Sequence, residues 1–350
     1  MPFQKDSKEL KRKSIKSLTG IRFFAAFYVL LFHSGLSFAT KAGLNDKIIN
    51  FLSHGYLGVG LFFILSGFIL AYNYPEIHFN KSFLFKFYKA RFSRLYPVYF
   101  LALLLVLPFV YQSLDLHSIA SVLTMTQSWT LKNTGMGYAW LFQAWTLSVE
   151  FFFYLIFPFI WNYINKRSLK NVYMLTFLVG IAIVYFATPI LAPGEVVKIG
   201  LEAYQLPLPI LRAFEFIFGL LLCRIYILTQ SVFLGKSGMV SLNIVLILMI
   251  LSFSNNIYLL SLAIVLVGVL IFQIASESSP ISKFLGSNTL VLLGGASYSI
   301  YLLQVPIREY SKLVFGSTLD KFISPIVLIY VSIMIFKYYE EPVRKWILKK

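Results

Sequence analysis

Gly20–Thr40, GIRFFAAFYVLLFHSGLSFAT, decides the fold. It is long and apolar enough to cross a bilayer as a helix, which takes about 20 such residues, and it carries two ionisable side chains, Arg22 and His33. At 3.6 residues per turn, their spacing is about three turns, which leaves roughly 20° of angular offset and ~16 Å of axial separation. Arg22 is therefore expected at one mouth of the helix and His33 near mid-membrane, both on one face. A cation or imidazole in hydrocarbon is costly and normally faces a polar cavity or a partner, which makes each a functional-site candidate. The plainer alternative is an Arg22 that snorkels to the headgroups and a His33 hydrogen-bonded inside the bundle.

The same character runs through the chain. Of 350 residues, 58% are hydrophobic and 13% charged, with mean hydropathy +0.76, against roughly 25% charged in a soluble domain. The expected fold class is an all-α integral membrane protein, a polytopic bundle of about ten transmembrane helices. Backbone groups in lipid must be satisfied within the segment, and the apolar runs are too long and unalternating for barrel strands. Spans are expected near 20–38, 56–73, 94–111, 139–160, 171–189, 208–228, 239–254, 257–274, 289–309 and 323–341. Residues 1–19 then form a basic cytoplasmic lead, 20–341 the transmembrane domain, and 342–350 a basic tail.

The net charge of +17 is explained by the positive-inside rule rather than by nucleic acid. With the N-terminus inside, 23 of the 31 basic residues fall on cytoplasmic segments and adjoining helix ends and 8 on outer ones. Both termini are thus expected in the cytoplasm. The first apolar run carries Arg and His and lacks a small-residue cleavage site, so it does not read as a cleavable signal. The one cysteine, Cys223, excludes an intramolecular disulfide and any multi-cysteine metal site. His54, His78 and His117 lack metal-ligand spacing, so no metal is expected. The longest outer segments, around 112–138 and 190–207, offer Asp115, His117, Trp129, Glu195, Lys198 and Glu202 for an extracytoplasmic entrance.

Three arginines converge on the cytoplasmic side: Arg22, and Arg91 with Arg94 three positions apart beside Pro97 at a helix entry. The planar guanidinium fork suits bidentate contact with phosphate, so a phosphorylated cytosolic ligand is one reading and ordinary positive-inside charge the other. In the fourth span, AWTLSVEFFFYLIFP places Glu150 midway, at about the depth of His33. An imidazole and a carboxylate at matched depth can take a proton from a hydroxyl, the acid steadying the imidazolium. The alternatives for Glu150 are a proton relay in a transporter or a partner for Arg212. Arg212 and Glu215, three apart, are expected to form a local structural salt bridge near the outer interface.

Read in order, Arg22 and His33 with ten residues between them, FFILSGF, RFSRLYP, WTLSVE ending at Glu150, LRAFEFIFG, ASYSIYL and YEEP resemble the acyltransferase 3 family. These are polytopic membrane enzymes that acylate sugars and other hydroxyl-bearing acceptors of the cell envelope. The resemblance implies a transmembrane acyltransferase domain in the cytoplasmic membrane, with an acyl-coenzyme A, most often acetyl-coenzyme A, as donor substrate and no permanently bound cofactor. Arg22, Arg91 and Arg94 would hold the donor's phosphates. His33 would be general base for an acceptor hydroxyl, with Glu150 assisting. The acceptor would be an envelope polysaccharide, lipopolysaccharide or lipid-linked sugar. Where many relatives have a histidine in the ninth span this chain has Gln304, which therefore has no titrating role. A transporter or flippase using the same intramembrane charges, and a non-catalytic scaffold of an envelope assembly line, are the competing readings.

Overall fold

The computed structural model describes residues 14–111, 115–129, 140–186, 197–199, 202–204, 206–229, 236–276 and 279–349. The architecture is helical. In chain order the helices are α1 (Lys16–Leu30), α2 (Leu36–Lys41), α3 (Asp46–Ser53), α4 (Gly58–Asn73), α5 (Lys81–Val110), α6 (Leu116–Leu123), α7 (Trp145–Asn165) and α8 (Leu169–Tyr185). A small antiparallel hairpin follows, β1 (Val197–Ile199) with β2 (Glu202–Tyr204), Lys198 opposite Ala203. It is an addition to the all-helical expectation. Then come α9 (Leu208–Thr229), α10 (Ser237–Phe253), α11 (Ile257–Ala275), α12 (Pro280–Leu285), α13 (Asn288–Gly295), α14 (Ser297–Leu302), α15 (Gln304–Ile335) and α16 (Glu341–Lys349).

Among the described residues six helical stretches are long and apolar enough to cross a membrane: Lys16–Lys41, Asp46–Asn73, Lys81–Val110, Phe142–Asn165, Ile257–Ala275 and Leu319–Lys349. The shorter apolar helices α8 and α10 accompany them, and α9 packs against α4, α7 and α8. The expected spans differ from the helices in three places that matter. The third helix begins at Lys81, where the Asn80 side chain accepts from the Phe83 N–H at 2.7 Å and caps the first turn. Arg91 and Arg94 therefore lie well inside a continuous helix rather than at its entry, and Pro97 sits within it. The expected ninth span is divided at Ala296 and Leu303, and α15 is broken at Gly316, whose φ of +73° favours a residue without Cβ. The C-terminal stretch is helical, α16, rather than a loose tail.

Small residues bring the site-bearing helices together. A Cβ at Gly67 of α4 would lie 2.1 Å from the Phe216 carbonyl of α9, and one at Gly219 of α9 would lie 1.9 Å from the Ile64 carbonyl. The two backbones touch, as packing in lipid rewards. Gly294 of α13 meets the Thr19 carbonyl of α1 in the same way, which fixes α1, and with it Arg22, against the C-terminal third of the chain.

Candidate active site

α1, α4, α5, α7 and α14 enclose a cavity of about 250 Å³. Its lining on α4 runs from Val59 to Asn73, fourteen positions or roughly 21 Å at 1.5 Å per residue. One end lies beside Ser14 and Asn73, where α1 begins and α4 finishes; the other is lined by Phe62, Phe63, Thr146 and Tyr301. The hollow is a narrow shaft along the bundle, slimmer than a site that swallows a whole cofactor.

Four of the five residues expected at a site meet here: Arg22, Arg91, Arg94 and Glu150 all line the shaft, each half-buried. Arg91 is held by rings, its Nη2 donating to the Tyr74 hydroxyl at 3.2 Å and its guanidinium 5.5 Å from the Tyr74 ring, 5.7 Å from Phe87 and 5.8 Å from Tyr154. Arg22 and Arg94 are different. Neither guanidinium makes a hydrogen bond or ion pair with another described residue.

The nearest carboxylate in the shaft is committed elsewhere. Glu150 Oε1 accepts from the Tyr154 hydroxyl, one turn on along α7, and from the Ser66 hydroxyl at 3.4 Å. It feels both arginines through space without pairing to either. The alternative partner Arg212 is also excluded: it binds Glu215 at 2.9 Å, with the side chains 3% and 0% exposed. That pair is local as expected, and it is buried against the Phe63 and Trp145 rings.

His33 stands apart. It lies in a π turn, Leu31–Gly35, that links α1 to α2, closed by an i→i+5 bond from Leu36 N–H to the Leu31 carbonyl. The widened turn begins only two residues before His33, so it alters little of the 3.6-residue count that sets His33 on the face of Arg22, and such turns recur at functional sites. His33 is not among the described residues lining the shaft. Its ring packs edge-on to Phe142 at 5.8 Å, and its charged neighbour is Arg308 rather than Glu150. From the lining residue Tyr301 it is reached by stepping to Gln143, to which Tyr301 is hydrogen-bonded, and on to Phe142.

Sequence reasoning passed over Tyr154 and Glu340, whereas the hydroxyl of Tyr298 is one that the sequence offers to a polar substrate, with packing as its plainer role. Tyr154 sits four positions after Glu150, so helical spacing signalled the contact. Tyr298 lines the shaft from ASYSIYL and donates to the Leu95 carbonyl at 2.7 Å. Glu340 of YEEP lies behind it, and nothing in local spacing announces that. Gln304 is buried with an unpartnered amide nitrogen among the described residues. At the expected entrance, Asp115 caps α6, and the Ser118 N–H holds its carboxyl below the usual carboxylate range. Glu195 lies outside the described residues, and Lys198 and Glu202 are described by backbone alone.

The family of acyltransferase domains matches residues 15–339, from the start of α1 to the second π turn. The chain belongs to the acyltransferase 3 family. It is therefore an acyltransferase and, with its several apolar spans, a multi-pass membrane protein. Acyltransferase MdmB of Streptomyces mycarofaciens is 25% identical over 329 residues, which cover 87% of this chain and 82% of that protein. O-acetyltransferase OatA of Staphylococcus aureus (strain NCTC 8325 / PS 47) is 24% identical over 391 residues, 97% of this chain and 60% of its own length. Peptidoglycan O-acetyltransferase OatA of Listeria monocytogenes serovar 1/2a is 25% identical over 372 residues, 95% of this chain and 56% of its own. The chain thus spans under two thirds of the OatA relatives. No solved structure matches.

Proposed function

We propose that this acyltransferase is an O-acetyltransferase that moves an acyl group, most simply acetyl, from a cytosolic acyl-coenzyme A to a hydroxyl of an envelope glycan. The observation that carries the reading is the pair Arg22 and Arg94, two guanidinium groups in a membrane-embedded shaft that no described residue pairs with. Such groups are costly unless a ligand supplies the anion, and the phosphates of coenzyme A do so. Arg91, fixed among rings at the same end, completes the phosphate contacts. The relatives named as O-acetyltransferases support the acyl group and the class of acceptor.

With the positive-inside bias, both termini are cytoplasmic and the shaft's mouth beside Ser14 and Asn73 opens to the cytosol. The narrow shaft then takes the pantetheine arm, directed toward Thr146 and Tyr301. His33 is the proposed base: it takes the proton of the acceptor hydroxyl as that oxygen attacks the thioester carbonyl. A C–O bond forms, the C–S bond breaks, and coenzyme A leaves as thiolate. Glu150, held by Tyr154 and Ser66, acts at the arginine end. Its place in the shaft rather than beside His33 makes it a ligand-side residue in this scheme.

The test is direct. Detergent-purified protein is expected to bind coenzyme A, with affinity lost in Arg22→Ala and Arg94→Ala, and the host's envelope glycan is expected to lose acetyl groups when the protein is removed. Transport of an anionic substrate is the second reading, on the same Arg22 and Arg94 in the shaft, which no described residue pairs with. Unchanged glycan acetylation together with flux of an anion into vesicles would establish it and remove acyl transfer.

A further inference from the structure

A second π turn, Phe336–Glu340, carries a carboxylate that the scheme above leaves without a task. Glu340 is 7% exposed. Its Oε2 accepts from the Ser299 hydroxyl at 2.8 Å, and among the described residues no cation lies within ion-pair distance. A buried carboxylate with no cation in contact is expensive, so its charge has to be balanced from further off. The surroundings show from where. Tyr339, its neighbour, donates to the Pro97 carbonyl at 3.2 Å. Tyr298, next to Ser299, donates to the Leu95 carbonyl. The turn is therefore docked on the segment of α5 that carries Arg94, behind the wall of the shaft, and Arg94 and Arg22 are the cations whose fields reach it.

We propose that Glu340 is the standing counter-charge of the Arg22–Arg94 pair, a positioning residue that steadies both guanidinium groups and sets how tightly a phosphate-bearing ligand is held in the shaft. The Ser299 hydroxyl ties the carboxylate back, so the guanidinium N–H groups stay free for a ligand. A negative charge close by nevertheless opposes an incoming anion. Glu340 is outside the lining of the shaft, so its influence on a ligand is through charge rather than contact. The inference rests on the reading of the shaft as an anion site.

The experiment is titration of the full chain in detergent with coenzyme A and, separately, with inorganic pyrophosphate as a probe of phosphate alone. Glu340→Gln keeps the shape and an oxygen for Ser299 but removes the charge, and is expected to bind both probes several-fold more tightly than the wild type. Glu340→Asp is expected to stay near the wild-type affinity. Damaged packing loosens binding, so tightening is a readout that a merely structural role does not produce. Equal or weaker binding by a folded Glu340→Gln overturns the proposal. Should that variant fail to fold, Glu340→Ala serves: it too removes the charge, tighter binding is expected, and equal or weaker binding is fatal. Wild-type protein that takes pyrophosphate but not coenzyme A refutes the donor and leaves Glu340 to be judged on pyrophosphate. Wild-type protein that takes neither refutes both.

Discussion

Gln143 and Tyr301 hold each other in both directions. The Gln143 amide donates to the Tyr301 carbonyl at 3.2 Å, and the Tyr301 hydroxyl donates back to the Gln143 carbonyl at 3.1 Å. The same amide also donates to the Leu302 carbonyl at 2.9 Å. This clasp, between the turn leading into α7 and the end of α14, separates the shaft from Phe142 and His33. Tyr301→Phe removes one hydrogen bond and is expected to cost about 1 kcal/mol of stability. Gln143→Ala strips two buried carbonyls of their donor, so a loss of about 2–3 kcal/mol is expected. Denaturant titration in detergent micelles checks the order; equal losses would mean that the clasp is loose.

The arginines line the shaft and His33 is not among its described lining residues, so their variants are expected to fail differently. Arg94→Ala and Arg22→Ala should each weaken coenzyme A binding at least tenfold, about 1.4 kcal/mol. His33→Gln should leave that binding unchanged and abolish transfer to the acceptor. Calorimetry beside an acetylation assay separates the two. Loss of donor affinity in His33→Gln would place His33 on the donor's path.

Tyr154 keeps Glu150 from closing on Arg94. Removal of its hydroxyl in Tyr154→Phe leaves the carboxylate with only the weaker Ser66 contact at 3.4 Å. Glu150 is then expected to swing onto an arginine and compete with the ligand. The measurement is coenzyme A affinity, expected to fall several-fold in Tyr154→Phe and to recover in the double variant Tyr154→Phe/Glu150→Gln. A double variant as weak as the single one would refute the competition.

The α4–α9 contact predicts a sharp contrast between glycines. Gly219→Ala drives a methyl to 1.9 Å from a backbone carbonyl that cannot yield like a side chain. Overpacking typically costs 1–3 kcal/mol, about 3 or more being expected where backbone must move. Gly238→Ala, with nothing within 4 Å of the new carbon, is expected to be neutral or slightly stabilising. Melting temperatures of the two purified variants, or loss of folded protein for Gly219→Ala alone, decide it.

The helical membrane character, the family pattern and the Arg212–Glu215 pair were legible in the sequence because each is written in neighbouring residues, whereas of the ten expected spans six appear among the described residues as helices long and apolar enough to cross. Hydropathy acts over about 20 positions, and an i,i+3 pair needs only a helix. Arg91 and Arg94 were placed correctly on one face but wrongly at a helix entry: the span was expected to start at 94, whereas the Asn80 cap starts the helix at Lys81, thirteen residues earlier. Counting 3.6 residues per turn puts His33 on the face of Arg22, but a shared face does not decide which cavity a side chain enters, and His33 is not among the described residues that line the shaft with Arg22.

Sequence alone determined that this is a helical membrane protein with costly charges inside it, since lipid forces each segment to satisfy its own backbone and makes every buried charge conspicuous. Only the tertiary structure decided which charges meet. It joined Arg22, Arg91, Arg94 and Glu150 from three helices in one shaft, set Glu340 from the far end of the chain behind them, and put Gln143 and Tyr301 between that shaft and His33. The physical reason is that contacts between helices depend on rotation and depth. Those are fixed by which backbones come into touch, as at Gly67 and Gly219, and by where a turn departs from the regular helix.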